Sequence, residues 1–117
     1  MNHRTFERYV KQAVDSLPDQ FKNALDNIDI VIEDFPPPEL AGEKGSGPLL
    51  GLYEGIPLPE RQMGEAPMPD KISIYQGEIL RLGLRGKELV EEIRLTVLHE
   101  IGHYFGLDDE EMTSLGY

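Results

Sequence analysis

Apolar positions along the chain change period several times, and each period predicts an element. Phe6, Tyr9, Val10, Ala13 and Leu17 recur at three- and four-residue intervals, the stripe of an amphipathic helix. Pro18 ends that helix, and residues 18–26 fit a second, shorter one with the proline in its first turn. Ile28-Asp29-Ile30-Val31-Ile32-Glu33 alternates and is rich in β-branched residues, which predicts a strand stopped by Pro36-Pro37-Pro38. Leu49 to Tyr53 forms a second short apolar run, and Lys71 to Gln76 alternates as a third strand. A helical turn is expected over Gly77–Leu82. From Lys87 to Phe105 the period returns to that of a helix, with Val90, Ile93, Val97 and Ile101 as its apolar stripe. Helices, then about three strands, then a long C-terminal helix describe an α+β fold, expected as one domain over residues 1–117.

Between these elements lie two proline- and glycine-rich stretches, one holding Gly42, Gly45 and Gly47, the other Pro57, Pro59, Pro67 and Pro69. The first is expected to be mobile, and because connections longer than ten residues are uncommon in small domains and are often functional, a functional role stands level with that of surface connectors for both.

Composition narrows the chemistry. The chain has no cysteine, which removes thiolate metal sites, disulfides and cysteine nucleophiles. Eleven basic residues face 22 acidic ones, for a net charge of −11. Such a field repels phosphate backbones, so no nucleic-acid partner is expected. No apolar run approaches the ~20 residues of a membrane span, so no membrane association is expected either. The start, Met1 to Arg8, is charged and lacks the apolar core of a signal peptide, which points to a cytoplasmic protein.

The informative stretch is His99-Glu100-Ile101-Gly102-His103-Tyr104-Phe105-Gly106-Leu107-Asp108-Asp109. On a helix His103 lies ~40° from His99 and one turn above it, so both imidazoles can face one ion. Glu100 sits ~60° from His103, which sets its carboxylate beside that ion, where it can act on a bound water. Continued as helix, Asp109 would rise ~9 Å above His103 and rotate away. Gly106 can instead take the left-handed conformation that ends a helix and turns the chain back. Asp109 would then complete a two-histidine, one-carboxylate site with an open water position. Asp108, Glu110 and Glu111 compete for that place, and Asp108 or Asp109 also fits the N-cap of a short final helix. His3, near the chain start, receives no role.

His99-Glu100-x-x-His103-x-x-Gly106-x-x-Asp109 resembles the extended zinc signature of the zincins, in a metzincin-like layout with aspartate third. Leu49 to Leu58, Pro69 to Tyr75 and Thr96 to Glu100 also resemble the small bacterial zincin-like metallopeptidases, over about Ile28 to Glu111. The resemblance implies a minimal zincin-like fold and a Zn2+ ion held by His99, His103 and Asp109. It implies Glu100 as general base and proton shuttle, and a peptide or protein as substrate. It further implies that the strand before the active helix, Ile72 to Gln76, lies at the sheet edge and pairs with an extended peptide, although an interior position is nearly as well supported. Tyr53 and Tyr75 read first as packing residues and second as hydroxyl donors to an oxyanion. Met112 lies too close to Asp109 to be equated with a metzincin methionine turn.

Two other readings stand beside the peptidase. Fourteen residues follow His103, little chain to wall a pocket, which favours a non-catalytic zinc-binding or interaction module. A zinc-dependent hydrolase acting on RNA shares the ligand spacing, but the net charge of −11 and Glu100 oppose it.

Overall fold

The computed structural model describes residues 1–25, 28–40, 48–56 and 70–116, and the two proline- and glycine-rich stretches fall largely outside them. Helix α1 (His3–Asp15) starts at Asn2, whose side chain accepts the Thr5 amide, and buries Phe6, Val10 and Ala13. Helix α2 (Asp19–Asn23) has Pro18 as its N-cap, one position before the expected first turn. The strands are β1 (Ile28–Glu33), β2 (Gly51–Glu54) and β3 (Asp70–Tyr75). Helices α3 (Gln76–Leu80), α4 (Gly86–Tyr104) and α5 (Asp109–Ser114) follow. The fold is α+β, with a three-stranded mixed sheet and a long C-terminal helix, as the pattern predicts.

Strand order is β1-β3-β2, with β1 parallel and β2 antiparallel to β3. Register places Ile28, Ile30 and Ile32 beside Asp70, Ile72 and Ile74, and Tyr53 opposite Ile72, so these side chains share one face. That face packs with α1 and α4 into one apolar core containing Phe6, Val10, Ile72, Ile74, Ile93, Val97 and Ile101. The expectation that residues 72–76 form an edge strand is therefore corrected. β3 is central, and its edge-like alternation was misleading because Ser73 and Tyr75, on the second face, are as buried as Ile72 and Ile74.

One position of the α4 stripe also shifts. Leu89, not Val90, is buried with Ile93, Val97 and Ile101. The two are neighbours on the helix, and it is the leucine that joins the core cluster with Ile93, Val97 and Ile101. Among the described residues no helix is long and apolar enough to cross a membrane.

Candidate metal centre

The site is assembled by the end of α4 and the turn that follows. Phe105 caps the helix, Gly106 has φ of 88°, and two hydrogen bonds close the turn. The Gly106 amide donates to the His103 carbonyl at 3.0 Å, and the Leu107 amide to the Gly102 carbonyl at 3.0 Å. This is the paired pattern of a Schellman motif, which requires a left-handed residue and so favours glycine at position 106. Asp108 then begins α5 with a capping box. Its Oδ1 accepts the Glu111 amide at 2.8 Å, while the Glu111 carboxylate accepts the Asp108 amide at 3.1 Å.

The four acidic candidates are thereby separated. Asp108 and Glu111 are engaged in capping, and Glu110 is exposed on the first turn of α5. Asp109, the first residue of α5, is brought back onto the histidines. Its Oδ1 lies 3.2 Å from His99 Nε2 and 3.4 Å from His103 Nε2. The imidazoles meet edge to face, with centroids 4.8 Å apart.

The separations allow a test of fit. Two ligand atoms at ~2.0–2.2 Å from one tetrahedral ion lie about 3.4 Å apart, matching both distances from Asp109 Oδ1. His99, Glu100 and His103 also offer atoms that converge, within 4.8 Å of one another. Asp109 Oδ1 is the carboxylate oxygen whose separations from both Nε2 atoms, 3.2 and 3.4 Å, match the tetrahedral edge. Two imidazole nitrogens and one carboxylate oxygen suit a divalent metal with positions left open.

The ring orientations agree. His103 Nδ1 lies 3.1 Å from the Leu107 carbonyl, which can only accept, so Nδ1 donates there and Nε2 is the ring nitrogen turned toward Asp109. The turn built on Gly106 therefore both returns Asp109 and orients the His103 ring. Burial, reinforced by the neighbouring His103, pushes the His99 pKa down despite the opposing pull of Asp109. Neutral imidazole, the form that binds metal, is thus favoured.

Glu100 is 8% exposed, on the side of α4 that faces β2. A cleft of about 370 Å³ opens there between Leu49, Leu50 and Gly51 and the α4 residues Glu92, Leu95 and Thr96, ending at His99 and Glu100. Gly51 is what lets strand and helix approach. A Cβ there would meet Glu100 Cγ and Thr96 Cγ2 at 3.1 Å and the Ser73 carbonyl at 3.2 Å. A second close fit lies below the histidines, where a Cβ on Gly102 would collide with the sulfur of Met112, itself fully buried. Met112 so seats α5 against α4, close to Asp109 in the chain.

The packing roles of Gly51 and of Gly102 against Met112, and the Leu107 carbonyl as a partner of His103, do not follow from the sequence pattern. The one signal on offer was glycine inside two otherwise regular elements. The two tyrosines follow their first reading, as packing residues. Tyr53 packs on the core and donates its hydroxyl to Asp70 at 2.6 Å, and Tyr75 is 1% exposed within the sheet. His3, given no role by sequence, lies at the start of α1 with its Nδ1 2.8 Å from Gln76 Oε1 and its Nε2 3.4 Å from Glu7.

An α+β fold whose last long helix carries two histidines and a buried glutamate beside a cleft has the donor set of a candidate metal site. The chain belongs to the zincin-like metallopeptidase family, whose model matches residues 25–117. It is also similar in fold to a conserved hypothetical protein from Thermus thermophilus, at 24% identity and a TM-score of 0.59. That likeness covers 98% of this chain and 97% of the other. No curated protein matches the chain.

Proposed function

We propose that the protein is a zinc-dependent peptidase, with His99, His103 and Asp109 holding the metal and Glu100 as general base. The observation that carries this reading is Asp109 Oδ1 within 3.4 Å of both Nε2 atoms, with the buried Glu100 next along the same helix. When bound, zinc supplies a Lewis acid that acidifies water and offsets charge developing on a substrate carbonyl. Glu100 takes the proton from that water and later delivers it to the departing amine. A half-exposed carboxylate would share its proton with solvent, whereas burial against Gly51 keeps Glu100 committed to the cleft.

The edge that receives substrate is β2 rather than β3. The Tyr75 amide donates to the Leu50 carbonyl at 2.9 Å, so Leu50 and Tyr75 form a hydrogen-bonded pair. Antiparallel ladders alternate, and the backbone groups of Gly51 accordingly point away from β3, along the rim of the cleft. An extended peptide paired there would carry its scissile bond past Glu100.

Glu100→Gln tests the reading. Hydrolysis of a fluorescence-quenched peptide library should fall by at least ~10³-fold while bound zinc, read by plasma mass spectrometry, stays near one per chain. Retained turnover would refute the general-base assignment. Bound zinc with no turnover in the unaltered protein would instead make it a zinc-binding module.

A further inference from the structure

The cleft beside Glu100 contains one group that the hydrolytic reading does not use. Leu49 and Leu50 on one side and Leu95 on the other give it apolar surface, Thr96, His99 and Glu100 line it with polar groups, and so does Glu92. Glu92 lies seven residues before His99, nearly on the same line of the helix and ~10 Å along its axis. It is half-buried, and among the described residues it makes no hydrogen bond or ion pair. Its acidic neighbours differ, since Glu91 is bound to Arg94 by two hydrogen bonds.

A half-buried carboxylate that borders the leucines of this cleft, with no partner among the described residues, stabilises a cation brought to it along the cleft. The side chains that match are long methylene stems ending in a positive charge. The stem of lysine or arginine packs on leucine as well as any aliphatic group while its head stays free to pair. The charge of the whole chain, −11, acts in the same direction by drawing basic peptides toward the cleft.

We infer that Glu92 is a specificity-determining residue, selecting peptide substrates with a lysine or arginine close to the scissile bond. The cationic side chain lies along Leu49, Leu50 and Leu95, and its head pairs with the Glu92 carboxylate. This inference rests on the peptidase reading, and its test separates the two.

The probe is a decapeptide library free of histidine and cysteine, so that no peptide binds by chelating zinc. Peptides retained by the zinc-loaded Glu100→Gln protein are sequenced, and the same library is offered to the unaltered protein for cleavage. Retained peptides should be enriched in lysine and arginine over norleucine by about fivefold at one position, the scale of a half-exposed ion pair. Adding Glu92→Gln should abolish the enrichment, and Asp29→Asn, one charge removed from the far strand β1, should leave it in place. Enrichment lost equally in both would assign the preference to overall charge and overturn the inference. Absence of lysine or arginine enrichment would overturn it as well. Enrichment that depends on Glu92, with no cleavage by the unaltered protein, would uphold Glu92 and refute the peptidase reading. Cleavage without cationic preference would do the reverse.

Discussion

Helix α4 has two faces that obey different rules. One carries Leu89, Ile93, Val97 and Ile101, all buried against the sheet and α1. The other carries Glu92, Thr96, His99, Glu100 and His103, which border the cleft or the metal centre. On the first face only size and hydrophobicity matter, and several residues would satisfy each position. On the second, particular atoms must occupy particular points, and no neighbouring residue can substitute for a missing nitrogen. The same 19-residue helix is therefore tolerant on one side and intolerant on the other.

The sharpest way to break this contrast is to truncate one residue on each face. His99→Ala removes one of the three candidate ligands, and a structural zinc site of about 10–16 kcal/mol spread over its ligands implies roughly 10³-fold weaker metal binding. Its effect on the metal-free fold should be small, because the His99 side chain is one-third exposed. Ile93→Ala removes a fully buried side chain and should cost about 3 kcal/mol in unfolding free energy, with zinc still bound near one per chain. Chemical denaturation and metal analysis of both variants check the crossed pattern. Loss of metal from Ile93→Ala at temperatures where it remains folded would show that the two faces are not separable.

The same contrast explains what was legible beforehand. The His99-Glu100-x-x-His103 spacing is a local property of one helix, so sequence alone places both imidazoles and the glutamate. Asp109 was legible in part, because Gly106 announces a reversal, but the four acids that follow look alike until the capping box engages Asp108 and Glu111. The elements were read within a few residues of their observed bounds. Strand order was not readable, since it depends on pairing between segments far apart in the chain, and the central place of β3 follows from two partners that local alternation does not encode. The packing roles of Gly51 and Gly102 were missed for a related reason. Each is a glycine because of what lies across a tertiary contact, Glu100 and Thr96 in one case and Met112 in the other.

That second contact joins the two faces and offers a finer test. Gly102 lies between Glu100 and His103 in the chain, yet its missing side chain makes room for Met112 of α5. Gly102→Ala forces the methionine sulfur aside. The flexible thioether can yield, so the cost should be near the low end of overpacking, about 1–2 kcal/mol. Because α5 carries Asp109, zinc affinity should fall by about tenfold. In combination with Met112→Ala the two changes should be markedly non-additive, as expected of residues in direct contact. Additive effects on both stability and zinc affinity would mean that Met112 does not seat α5.

The smallest expected effect separates position from ligation. Asp108 and Asp109 are adjacent carboxylates, and charge alone would make them equivalent near a cation. In the structure they are not, because Asp108 accepts the Glu111 amide at 2.8 Å whereas Asp109 faces both imidazoles. Removing the cap in Asp108→Ala should cost about 1 kcal/mol and weaken zinc binding only a few-fold, through a looser start to α5. Asp108→Asn keeps the capping oxygen while removing the charge, and should bind zinc nearly as the unaltered protein does. Asp109→Asn removes the same charge one residue later and should weaken zinc binding by at least tenfold with little change in α5. Titration of the metal-free proteins with zinc ranks the three variants. If Asp108→Asn proved the more damaging of the two asparagines, the third ligand would be Asp108, and the capping box would have to open to release it. The order expected here instead follows from the turn at Gly106, which leaves Asp108 to begin the helix and delivers Asp109 to the histidines.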